Sequence, residues 1–421
     1  MAKIHTPVPV WLDCDPGHDD VFAILLSAYH PAIQFLGISA VYGNAPLKHT
    51  LWNARSTLTA ISKENDIPVY AGAAQPIQRL PMSLGANIHG ETGLDGTDLL
   101  PEPRVSAKAT DLDTTLAAMA AALGAQPAGT AWIVATGTLT NVALLFDKYP
   151  ELVEHIAGLS IMGGAIGDGF TSAVTGEVDG KPRIGNITAY AEFNILLDPE
   201  AAAKVFGNPR IARKTTLVPL DLTHLVLATA EVQDLLLQGP PEDAEALITS
   251  DNEATTNGDA VDGEITTTSG NQAPVRKSSS NAFSSAALHG QGKTTLRTML
   301  VQLLNFFADT YSKVFGITAG PPLHDPIAVA AVLTGTDFEI PFVESLVAGG
   351  APERFDVTVV TQGTTDEALA GRAETGRTIA RLLPPGSEGV RIPRGIDTTL
   401  FWKVIEQCCA RADAVNAKNG R

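Results

Sequence analysis

Short apolar runs that alternate with helical patterns set the narrowest limit on how this chain can fold. The runs are residues 8–12, 35–42, 131–135, 159–162, 215–220 and 355–360. They read as continuous, as expected for strands covered on both faces. Helix-like stretches occupy 19–29, 47–62, 112–123, 139–148 and 199–206, and later 295–315, 326–333 and 398–412. This alternation predicts an α/β fold: an open, mostly parallel, Rossmann-like sheet with helices on both faces. In such sheets ligands sit outside the carboxyl ends of the strands, so the active site is expected there. Two segments break the rhythm. Residues 167–183 are glycine-rich and read as a long loop or hairpin. Residues 239–293 are rich in Ser, Thr, Asn, Gly, Asp and Glu, with Phe283 their only aromatic. They offer too little apolar surface to offset the entropy of ordering, and are expected to be a disordered insertion. One domain spanning 1–421 is expected to carry both.

The first apolar run ends in Asp13-Cys14-Asp15-Pro16-Gly17-His18-Asp19-Asp20. Asp13 and Asp15 lie two apart at a strand end and point to the same side. Pro16-Gly17 turns the chain. Asp19 and Asp20 then open a helix, where the exposed N–H groups favour carboxylates. Unpaired, the four acids would repel one another. A bound cation removes that cost, and hard oxygen ligands point to calcium or magnesium rather than zinc. An EF-hand loop does not fit, because counting from Asp13 puts Gly17 at the fifth place and Ile24 at the twelfth. A solvated helix cap and a phosphatase-type Asp-x-Asp remain open on this octet alone.

Other polar residues fall at successive strand ends. Asn44 follows Tyr42-Gly43, Thr136 precedes Gly137, and Met162 precedes Gly163-Gly164. His324-Asp325-Pro326 precedes an apolar helix, and Asn186, Glu192 and Asn194 surround Ala189-Tyr190-Ala191. Singly, each has an ordinary reading as a turn or cap residue. His89 is equally suited to a structural loop role. Together, at the edge of one sheet, they suggest a site.

Composition excludes several function classes. The charge sum is 29 − 46 = −17, which disfavours nucleic acid and anionic membranes as partners. Cys14, Cys408 and Cys409 are the only cysteines. No disulfide framework is expected from them, and a reducing compartment is. The first nine residues have no apolar core of a signal peptide, and no run of about 18 apolar residues occurs. A cytoplasmic protein is expected.

The chain resembles the inosine–uridine-preferring nucleoside hydrolases, and within them the fungal-type uridine nucleosidases. The matching pieces are the octet Asp13 to Asp20, Tyr42-Gly43-Asn44, Ile88-His89-Gly90-Glu91-Thr92-Gly93-Leu94 and Ala135 to Asn141. Met162-Gly163-Gly164, Asn186 with Ala191-Glu192-Phe193-Asn194, and Leu323-His324-Asp325-Pro326 complete the set. They occur in the family's order and cover most of the chain outside 239–293 and part of 167–183.

The resemblance implies calcium-dependent hydrolysis of the N-glycosidic bond of ribonucleosides, with uridine first and inosine or nicotinamide riboside as further candidates. It implies Asp15, Asp20, the Thr136 carbonyl and Asp325 as calcium ligands. Asp15 is then also the general base on the metal-bound water, and His324 the acid for the departing base. Asp19 and Asn194 would hold the ribose 2′- and 3′-hydroxyls, and Asn186 and Glu192 the 5′-hydroxyl. Met162 would pack nearby, Asn44 would orient water and ribose, and Asp13 would support the loop. Tyr311 is a candidate contact for the base. The resemblance further implies a homo-oligomer, dimer or tetramer. Two rivals are a metal-dependent phosphohydrolase and a noncatalytic calcium- or ribose-binding protein. The first needs basic residues near the octet, where only Lys48 stands. The second predicts loss of Asp15, Asp20, Asn194 or Asp325, and all are present.

Overall fold

Val8–Cys14 (β1) runs through the middle of a six-stranded parallel sheet. Its partners are Ile33–Ala40 (β2), Val69–Ala71 (β3), Trp132–Ala135 (β4), Gly158–Met162 (β5) and Thr215–Val218 (β6), in the order β3-β2-β1-β4-β5-β6. The computed structural model describes residues 6–82, 86–178, 180–241, 291–347 and 349–421.

Side chains alternate along each strand, so each strand feeds two cores. Val10, Leu12, Val134, Met162 and Val218 enter one core. Trp11, Ile133, Ala135, Ile161 and Leu217 enter the other. Helices Asp20–Tyr29 (α1), Leu47–Ala60 (α2), Thr295–Phe315 (α7), Asp325–Ala331 (α8) and Thr398–Lys418 (α9) cover the first face. Leu112–Gly124 (α3), Thr140–Lys148 (α4) and Pro199–Phe206 (α6) cover the second; Phe193–Leu197 (α5) leads into α6. Burial on both faces explains the continuous apolar runs.

The expected doubly covered parallel sheet is therefore present, with two changes. β3 has only three residues and too few apolar positions to stand out from the 47–62 helix pattern before it. The run at 355–360 lies outside the sheet. Phe355–Val359 pairs antiparallel with Thr378–Leu382, burying Phe355 and Val357 while Asp356 and Thr358 face outward. Its alternation marks a strand covered on one face only. Within 167–183, Glu177–Val178 pairs with Lys181–Pro182, so that segment holds a short hairpin. The expected disordered insertion at 239–293 lies outside the described residues, apart from 239–241 and 291–293. All three cysteines are buried and free. Among the described residues no helix is long and apolar enough to cross a membrane.

The strand order reverses direction between β1 and β4. This switch point opens a crevice beyond the carboxyl ends of the two strands, the usual ligand position in doubly wound sheets. Asp13 lies beside Ser39 of β2 and Ala135 of β4. Its Oδ1 accepts hydrogen bonds from the Ser39 hydroxyl and from Asn141 Nδ2, the latter at 2.7 Å. The acidic loop thus leaves the sheet from a fixed base at the mouth of the crevice.

Candidate active site

Asp15 is the first residue after β1, and two glycines make room for it. A Cβ at Gly43 would overlap Asp15 Oδ2, and one at Gly137 would lie 2.7 Å from Oδ1. Asn44 donates from its backbone N–H to Asp15 Oδ2 at 2.8 Å and from Nδ2 to the Asp15 carbonyl at 3.0 Å. Asp15 Oδ1 is buried and has no hydrogen-bond partner among the described residues. Asp20, the first residue of α1, accepts from Gly17 N–H at 2.8 Å and from the Thr136 hydroxyl at 2.8 Å. Asp325 opens α8, with Pro326 in the first turn.

Carboxylate oxygens of Asp19, Asp20 and Asp325 lie within 4.8 Å of one another, and all three residues are buried. Burial pushes the Asp20 carboxyl up to about 7, with the charge of Asp19 adding to it, and pushes Asp19 up to about 6. Burial, then the neighbouring acids, holds Asp15 and Asp325 well above the usual carboxylate range. Such crowding of hard oxygen donors in Asp19, Asp20 and Asp325 fits a hard divalent cation. Asp19 joins the carboxylate trio, whereas Asp15 stands outside it. The Thr136 carbonyl accepts a hydrogen bond from Asn194 Nδ2 at 3.0 Å.

A cleft opens above this cluster. All the expected site residues except Asp15 and Asp20 line it, namely Asp19, Asn44, Thr136, Met162, Asn186, Glu192, Asn194, His324 and Asp325. Ile88, His89, Phe193 and Tyr311 also line it, and among the described residues no Lys or Arg does. Glu192 caps α5 by accepting from the N–H groups of Asn194 and Ile195, at 2.9 and 3.1 Å. It also accepts from Gly164 N–H at 2.8 Å, which ties α5 to the end of β5. Asn194 Nδ2 donates to the Met162 carbonyl at 3.2 Å, and Asn186 Oδ1 accepts from Phe193 N–H at 2.9 Å. The capping and site readings of these residues therefore coincide in the same side chains.

On the opposite wall, His324 is enclosed. Its Nε2 lies 2.7 Å from Tyr311 Oη and its Nδ1 2.7 Å from Thr223 Oγ1. Burial, then His224, pushes its pKa well below the usual histidine range, which favours a neutral ring. Burial and the charges of Asp19, Glu192 and Asp325 push the Tyr311 hydroxyl up. His89 reaches the cleft because it meets His18 of the acidic loop at 2.9 Å, Nδ1 to Nδ1. His18 in turn meets the Asp95 carbonyl at 2.8 Å and stacks on Phe306 at 5.0 Å. Asn53 Nδ2 holds both loops together through the carbonyls of Pro16 and Thr92. Sequence spacing missed the Thr223 and His18 contacts, since their partners lie 101 and 71 residues away.

Known proteins extend this picture. The family model described as inosine-uridine preferring nucleoside hydrolase matches residues 10–403. The uridine nucleosidase of Saccharomyces cerevisiae is 33% identical over 411 residues, covering 97% of this chain and 98% of the relative. The pyrimidine-specific ribonucleoside hydrolase RihA of Citrobacter koseri is 41% identical over 226 residues, covering 53% of this chain and 64% of the relative. Among solved structures, a purine-preferring ribonucleoside hydrolase from Gardnerella vaginalis superposes with a TM-score of 0.66 at 20% identity. That match covers 96% of this chain and 99% of the other, and shows a shared fold.

Proposed function

The chain belongs to the inosine-uridine preferring nucleoside hydrolase family, and from that premise we propose a calcium-dependent ribonucleoside hydrolase with uridine as its first substrate. The observation that carries this reading is the cleft itself: buried carboxylates at its floor, amide side chains and Glu192 on its wall, and no Lys or Arg lining it among the described residues. Such a wall suits a neutral sugar and disfavours phosphate. Uridine is preferred over inosine because the yeast relative is named a uridine nucleosidase and the bacterial one pyrimidine-specific.

Asp15, Asp20, Asp325 and the Thr136 carbonyl are proposed to hold the cation. When bound, it offsets the carboxylate repulsion and makes a neighbouring water a stronger acid. Asp15 takes the proton of the attacking water, and its buried, partnerless Oδ1 suits that role. Asp19 and Asn194 hold the 2′- and 3′-hydroxyls, and Asn186 and Glu192 the 5′-hydroxyl. Met162 packs beside the sugar and Asn44 orients water and ribose. The surrounding carboxylates stabilise an oxocarbenium-like ribosyl cation, to which water adds at C1′. Negative charge developing on the departing base is met by His324 and by Tyr311, which contacts it. A homo-oligomer, dimer or tetramer, is proposed by resemblance to the family.

The test is release of reducing sugar from uridine, inosine, adenosine and nicotinamide riboside, with and without a chelator. Ribose release that prolonged chelation abolishes and calcium restores is expected. Absence of release from every nucleoside at high enzyme concentration would overturn the proposal.

A further inference from the structure

We propose that Thr223 is a positioning residue for the leaving-group side of the reaction: its hydroxyl fixes the tautomer of His324, which turns the Tyr311 hydroxyl hydrogen into the cleft. The inference rests on the hydrolase reading above and adds a residue that does not line the cleft.

The argument starts from the heavy atoms. A neutral imidazole has one N–H donor and one acceptor nitrogen. Thr223 Oγ1 lies 2.7 Å from His324 Nδ1, whereas its alternative acceptor, the Leu220 carbonyl, lies 3.5 Å away. The shorter contact is the stronger, and the longer one is at the limit of a hydrogen bond. We assign the Thr223 O–H to Nδ1, because the Leu220 carbonyl at 3.5 Å is the poorer acceptor for it. The ring hydrogen then sits on Nε2 and is donated to Tyr311 Oη at 2.7 Å. Tyr311 cannot donate back along that line. Its own hydrogen turns to the cleft, where Tyr311 is part of the wall. A donor aimed where negative charge develops on the base is the arrangement that lowers the barrier.

Thr223 is held rigidly enough to do this. It is fully buried at the end of the short helix Leu220–Thr223. Leu220 N–H donates to the Gly164 carbonyl at 3.0 Å, and Asp221 accepts from Ile166 and Gly167 N–H at 2.7 and 2.9 Å. Just beyond, Leu323 N–H donates to the Val226 carbonyl at 2.9 Å, and Ala228 N–H to the Pro321 carbonyl at 2.8 Å. This backbone ladder sets the spacing between the Thr223 turn and His324, so a single hydroxyl suffices to choose the ring tautomer.

The test uses Thr223→Val, which keeps the shape and removes the hydroxyl, with Thr223→Ala beside it and Thr223→Ser as rescue. Two substrates are compared: uridine, and a 4-nitrophenyl ribofuranoside whose leaving group is stable as an anion without help. Val and Ala are expected to lower kcat on uridine about tenfold or more. KM should stay within about twofold, the 4-nitrophenyl substrate should turn over near the wild-type rate, and Ser should restore uridine turnover. Unchanged uridine turnover in both variants, equal loss on both substrates, or a Ser variant as slow as Val would overturn the role of Thr223. A wild-type enzyme inactive on both substrates would overturn the hydrolase reading and this inference with it.

Discussion

Asp15 illustrates how one side chain can be both crowded and free. Gly43 and Gly137 wrap its carboxylate so closely that neither tolerates a Cβ, yet one of its oxygens has no partner among the described residues. A group held this way suits the proposed role of proton acceptor. Asp15→Asn removes the proposed base while keeping the shape and the Asn44 contact on the backbone carbonyl. It is expected to reduce kcat on uridine by about 100-fold or more. Its thermal midpoint, measured with chelator present, should not fall, because the substitution takes away a buried charge. Normal turnover by this variant would remove Asp15 from the role of base. At this scale much of the site was legible in the amino-acid order. Asp15, Asp19, Asp20, Asn44, Glu192, Asn194 and Asp325 stand out as polar residues at strand ends and helix starts. Tyr311 and Thr223 did not stand out in the same way, because a tyrosine in an amphipathic helix and a threonine in a turn look ordinary until His324 is placed between them.

Among the elements, α7 deserves the closest physical account. Its start is anchored by Arg297, whose Nε meets Asp413 at 2.6 Å and whose Nη2 meets Glu406 at 2.9 Å, both on α9. Arg297 Nη1 also donates to the Leu236 carbonyl at 2.8 Å. The side chain is only 3% exposed, so the pair is shielded from solvent. From that anchor the helix presents Phe307, Tyr311 and Phe315 at a spacing of four residues, one above the other on the face that meets His18, His224 and His324. Arg297→Met leaves Glu406 and Asp413 without their cation and is expected to cost about 3–5 kcal/mol in urea unfolding. A loss below about 1 kcal/mol would mean that solvent already screens the cluster. The bounds 295–315 were legible from the periodicity, and Thr294 does cap the helix. The partners of Arg297 were not, since an arginine near a helix start reads as a solvated residue until α9 packs across it.

Across the whole molecule the buried acids govern how stability responds to pH. Asp13 is pushed up to about 7, Asp20 to about 7 and Asp19 to about 6, in each case chiefly by burial, from an ordinary value of 3.8. A carboxyl with a raised folded pKa binds more protons folded than unfolded. Its contribution is fully present below the unfolded value and is lost as pH rises through the folded value. Chelated protein is therefore expected to be more stable at pH 5 than at pH 8, with the loss falling chiefly between about pH 4 and 7. Calcium at about 100 times its Kd should return roughly 2.7 kcal/mol at the higher pH. Differential scanning fluorimetry at both pH values, with chelator and with calcium, checks the sign. Equal midpoints at pH 5 and 8 under chelation would show that the acids are not desolvated in solution.

The amino-acid order by itself determined the local patterns. These are strands covered on both faces, the starts of most long helices, the acidic turn after β1 and the polar residues at the strand ends. All are set by periodicity and by cap and turn chemistry within a few residues. Tertiary structure decided what depends on distant segments meeting. It drew 355–360 out of the main sheet, because its outward residues suit a surface hairpin. It also brought Asp325 to Asp19 and Asp20, whose burial raises all three pKa values together. Likewise it set His324 between the hydroxyls of Thr223 and Tyr311, one at each ring nitrogen. Burial and hydrogen-bond partnership are properties of packing, and residues more than a hundred positions apart acquire them only when the sheet and its helices close around the crevice.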